Sequence, residues 1–90
     1  MNRTFKELTE QYKISFTGKR TRVNGEWVPI NEDDYDVIVE SLGSGYATHK
    51  YRIHKNGPRL SPDELVTICE RGNYNFGHRW EGNILVVYTD

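Results

Sequence analysis

Three histidines, one cysteine and a run of carboxylates are the groups in this chain from which catalysis or metal binding is usually built: His49, His54, His78, Cys69, and Glu32, Asp33, Asp34 and Asp36. A histidine base needs a nucleophile or an orienting acid within hydrogen-bond reach, and no histidine here has either at a spacing that specifies it. In an alternating pattern His49 shares a strand face with Ala47, Tyr51 and Ile53. It therefore reads as a core or boundary imidazole bonded to backbone. His78, in phase with Phe76 and Trp80, reads the same way. Cys69 falls on the apolar side of a helical pattern, where a thiol behaves as a small hydrophobe. A single cysteine forms no internal disulfide, and the scattered histidines do not complete a Cys/His quartet with it. The acidic run lacks the glycine and the distal bidentate glutamate of a calcium loop, so it reads as a solvated turn. The glycines of Gly43-Ser44-Gly45 and Gly72 stand where turns and a helix end need positive φ, and no nucleotide-binding motif surrounds them. The expectation is no catalytic residue, no metal and no cofactor.

What remains is a surface. If Tyr46 to His54 is a strand, Lys50, Arg52 and His54 lie on one face with Tyr46 and Thr48, Arg59 extends the strip, and Lys13, Lys19, Arg20 and Arg22 are further cations able to extend it. Cations beside a ring can track phosphates and stack a base. The competing reading is a face neutralised by the acidic neighbouring strand, where Asp36, Ile38 and Glu40 share one phase. Charge along the chain comes in blocks that favour this second reading. Residues 31–45 carry five acids and no base, and residues 46–60 carry four bases and no acid, while the whole chain is only −1.

Elements to hold these groups are legible from capping and periodicity. Thr4-Phe5-Lys6-Glu7 has the capping-box spacing, and Phe5, Leu8 and Tyr12 follow as an apolar stripe, which predicts a two-turn helix. Period-two alternation then predicts strands through Ile14 and Phe16, through Thr21 and Val23, and through Trp27, Val28 and Ile30, the last two joined by Asn24-Gly25. Pro29, which lacks a donor, places the returning strand at an edge or ends it there. Residues 31–42 match a helical face at Tyr35, Ile38, Val39 and Leu42, yet Val37-Ile38-Val39 is β-branched throughout and a second alternating segment follows. Strand is the reading, with Gly43-Ser44-Gly45 as the turn. Ser61-Pro62-Asp63-Glu64 is a helix start with Leu65, Val66, Ile68 and Cys69 on or beside the buried face, closed by Arg71 and Gly72. A last hairpin runs from Asn73 through Glu81-Gly82-Asn83 to Thr89. The predicted class is α+β, a single domain over 1–90, mainly an antiparallel sheet of hairpins with two short helices in the order α-β-β-β-β-β-α-β-β.

Ninety residues bury a thin core, and aromatics at 12% must supply much of it. No apolar run approaches a membrane span and the first residues carry no leader pattern, so the expectation is a soluble, cytoplasmic protein in a reducing compartment. With no catalytic constellation and a ring-rich, charge-segregated surface, the leading expectation is a non-enzymatic module that binds a larger protein. In size and character the chain resembles compact accessory and inhibitor proteins of phages and mobile elements, among them inhibitors of CRISPR nucleases. That resemblance implies action by binding and blocking. The residues expected to bind, whether protein or nucleic acid, are Tyr46, Lys50, Arg52, His54, Arg59, Trp80, Asp33 and Asp34. Nucleic-acid binding through residues 46–59 is the alternative, and a small hydrolase or nuclease using His49 or His78 the third. An exposed edge strand would also allow a homodimer.

Overall fold

A computed structural model describes residues 2–89. Its two helices both begin with the boxes read from sequence. In α1 (Phe5–Gln11) the Thr4 hydroxyl accepts from Glu7 N–H and Glu7 reaches back to Thr4; in α2 (Pro62–Cys69) Ser61 and Glu64 do the same, with Pro62 at the first helical position. Seven strands follow the predicted order: β1 (Ile14–Ser15), β2 (Arg20–Val23), β3 (Glu26–Pro29), β4 (Val37–Gly45), β5 (Thr48–Lys55), β6 (Gly77–Glu81) and β7 (Ile84–Tyr88). Residues 32–34 form a single 3-10 turn, and the β-branched run Val37-Ile38-Val39 is strand, so local propensity prevailed over the helical spacing.

Five strands make one sheet in the order β1-β4-β5-β7-β6, antiparallel except for β1, which lies parallel to the start of β4. Strands β2 and β3 pair only with each other. One face of the large sheet carries Val37, Val39, Ile53, Leu85 and Val87, and these meet Leu8 of α1 and Val66, Ile68 and Cys69 of α2. That is the core. The opposite face has no helix over it, yet Ile38 and Val86 on it are also buried. Val86 stands in register between Lys50 and Arg79, positions from which aliphatic stems cover an apolar neighbour.

Three local readings are corrected by the backbone. The β4–β5 turn is at Tyr46-Ala47, with Ala47 at φ 56°, and the Gly43-Ser44-Gly45 segment is instead a continuation of β4 past a register shift between Ser41 and Ser44. The first strand is cut to two residues because Ser15 turns inward and its hydroxyl donates to the Gly18 carbonyl. Helix α2 stops at Cys69, so Arg71 is past the last turn. It takes the left-handed conformation itself, at φ 54°, before Gly72 at φ 78°, and Gly72 N–H closes back onto the Thr67 carbonyl.

One buried carboxylate ties the helices' starting ends together. Glu64 accepts from Arg3 Nε at 2.7 Å, Arg3 N–H at 3.0 Å and Ser61 N–H at 2.9 Å, while Arg3 also reaches Tyr12 Oη and the Arg59 carbonyl. The Arg3 guanidinium, then the Ser61 N–H, hold the Glu64 carboxyl at about 2, below its ordinary 4.5. A depressed folded value stabilises the fold above the unfolded value and is lost on protonation. Thermal melts should therefore show stability falling as pH drops from about 4.5 toward 2, with a shallower fall in Glu64→Gln, whose melting temperature is lower at neutral pH. Leu8→Ala, at a fully buried contact of α1, should cost about 3 kcal/mol in denaturant unfolding.

Candidate functional site

The predicted strip forms in part. Strand β5 places Thr48, Lys50, Arg52 and His54 on the helix-free face, as the alternation requires. Glu40 stands directly across from Arg52, and its Oε1 is 2.6 Å from His54 Nε2. A carboxylate thus occupies the middle of the basic strip. Tyr46 is not on this face; it sits at the turn. Arg59 lies in the loop before α2, and Trp80 pairs with Leu85, so it is on the helix-bearing face, at the far edge strand. Asp33 and Asp34 belong to the 3-10 turn capped by Asn31. Asp33 and His54 do meet, around a shallow cleft of about 240 Å³ shared with Tyr35 and Ile38. The eight residues are therefore spread over two faces of the sheet and the turns and loops outside it.

The β2–β3 hairpin sets Trp27 beside Arg20 and Arg22, a placement of the ring that sequence reasoning missed. Asn24-Gly25 turns it with φ of 51° and 84°, the positive values that a type I′ turn demands. In its register Arg20 faces Pro29 and Arg22 faces Trp27, so these four share one side, and all four are exposed. Thr21 and Val28, on the other side, are half-buried. The Arg22 guanidinium lies 5.5 Å from the Trp27 ring centroid. A two-stranded ribbon is marginal by itself in water. This one nevertheless holds a tryptophan, the residue type that interfaces most enrich, open to solvent. The readable signal was Arg and Trp at paired positions across an Asn-Gly turn.

A third feature lies where α2 ends against β4 and β5. Phe16, Val39, Ser41, His49, Tyr51 and Cys69 through Arg71 with Asn73 surround a cleft of about 290 Å³. Tyr51 Oη donates to Glu70 Oε2 at 2.5 Å, and His49 Nδ1 is 3.3 Å from the same phenol oxygen and 3.6 Å from the carboxylate. Burial first, and then the bond to Glu70, push the Tyr51 phenol above its ordinary value. No family model, curated protein or solved structure matches the chain.

His49 and Tyr51 on one strand face were legible as an i, i+2 pair; Glu70 arrives from a helix and was not. Arg71 holds a left-handed backbone that costs an L-residue roughly 1–2 kcal/mol. Its guanidinium rests 5.2 Å from the Phe16 ring centroid. Among the described residues no three His, Cys, Asp or Glu side chains are grouped to hold a metal, and no helix is long and apolar enough to cross a membrane. Cys69 is buried, and that burial pushes its thiol up to about 12. An aromatic disulfide reagent at neutral pH should leave Cys69 unmodified in the folded protein and titrate one thiol after denaturation. Immediate reaction in the native state would contradict the burial.

Proposed function

We propose that the chain is a non-enzymatic binding module, an accessory or inhibitor protein that acts by occupying the surface of a larger protein. One observation carries this reading: rings that a thin core would be expected to absorb are displayed instead. Tyr46 is 98% exposed, Tyr74 81%, Phe76 64% and Trp27 53%. Burying such rings against water-excluding partners is the main energetic resource of protein interfaces. The hairpin supplies the best-formed anchor, since Trp27 stands beside exposed Arg20, Arg22 and Pro29 on a ribbon that pairs with no strand of the large sheet. Tyr46, and the T-shaped pair of Tyr74 and Phe76 with rings 5.2 Å apart, add apolar area elsewhere.

A second reading, nucleic-acid binding, rests on the shared face of Lys50, Arg52 and His54. Glu40 within that face, and an overall charge of −1, weigh against it.

Capture from a lysate of the natural host, at low and high salt and after nuclease treatment, separates the two. The module reading predicts one protein retained at high salt by the wild type, with binding weakened at least about tenfold by Trp27→Ala and little altered melting temperature. Nucleic acid released by salt, and lost in Lys50→Ala/Arg52→Ala but not in Trp27→Ala, would replace it with the second reading.

A further inference from the structure

We propose that the cleft at the end of α2 is a binding site for a small organic anion that also carries a hydroxyl group, a short hydroxy acid, held between Arg71 and the outward nitrogen of His49. The inference does not depend on the protein-binding reading.

It begins with a proton count. A tyrosine hydroxyl has one hydrogen, and that of Tyr51 is committed to Glu70 Oε2, an acceptor only. Toward His49 the phenol oxygen can therefore only accept. His49 Nδ1 must carry the hydrogen, and it points to that oxygen and to the buried carboxylate. In the neutral ring, Nε2 is then left with its lone pair. The side chain of His49 is 43% exposed whereas that of Glu70 is 8% exposed, so the inner edge of the imidazole is anchored and the outer edge is open. The arrangement presents an oriented acceptor where an unsupported histidine would rotate.

Opposite in charge to an incoming anion is Arg71. Its guanidinium is placed against Phe16, and it pairs with no carboxylate among the described residues. A planar cation resting near a ring keeps its fork of donors free for a carboxylate. Ser41 of β4 and Asn73 beyond α2 also line the cleft and offer further donors. Glu70, whose charge would repel the ligand, has one oxygen engaged by Tyr51, which sets the anion end at Arg71 and the hydroxyl end at His49. The cleft, of about 290 Å³, has room for such a molecule.

NMR of the full chain tests both halves. A long-range proton–nitrogen spectrum at a pH above the imidazole's titration should show His49 as the Nδ1–H tautomer; the Nε2–H tautomer would overturn the proposal. Titration with glycolate should shift His49, Ser41, Arg71 and Asn73 saturably. Acetate, which lacks the hydroxyl, and ethylene glycol, which lacks the charge, should each bind about tenfold more weakly. Arg71→Asn keeps a residue tolerant of positive φ and should weaken glycolate about tenfold. Equal response to acetate, undiminished binding in a folded Arg71→Asn, or no response in the cleft would each overturn the proposal. Should that variant not fold, the three probes on the wild type decide.

Discussion

Two short helices can cover one face of a five-stranded sheet and no more, and most of this structure follows from that shortage. Leu8 from α1, and Val66, Ile68 and Cys69 from α2, close the side bearing Val37, Val39, Leu85 and Val87. The other face has no helix over it, and the β2–β3 hairpin pairs with no strand of the large sheet. The consequence is visible in gross dimensions. A chain of 10.5 kDa should expose about 5,400 Å² when folded, whereas this one exposes 6041 Å². The radius of gyration is 13.1 Å, against about 12.2 Å expected for its length. The excess fits a sheet covered by helices on one face only.

Charge does what apolar cover cannot. On the helix-free face, Glu40 meets Arg52 and His54, and Arg79 lies 5.6 Å from the Tyr88 ring centroid, so long polar side chains shield Ile38 and Val86. At the other end of the molecule, Glu64 gathers Arg3 and Ser61 and pins the segment before α1 to the start of α2. These pairs explain why opposite charges alternate in blocks along the sequence: each block folds against its complement. They also explain why the basic strip, conspicuous in one dimension, is largely balanced in three.

Local signals in the sequence were reliable where a side chain acts on its own backbone. The Thr4 and Ser61 boxes, the Asn24-Gly25 turn and the β-branched run at 37–39 all appear where their chemistry places them. Readings failed where the outcome depended on register between segments. The bulge between Ser41 and Ser44 carried the turn on to Tyr46-Ala47 and removed Tyr46 from the strip, and Trp80 reached the opposite face through its pairing with Leu85. The His49–Tyr51–Glu70 group needs a helix end brought to a strand, which no spacing encodes. Trp27 differs in kind: nothing local in the sequence says that its side of the ribbon will be left open to solvent.

The central claim is that the rings left outside the core are there to meet a protein. Hydrogen exchange of the chain, alone and in complex with the protein it captures, tests it most directly. The account predicts slowed exchange on binding at the β2–β3 hairpin, around Trp27. Protection confined to β5, with the hairpin exchanging as fast in the complex as alone, would contradict it.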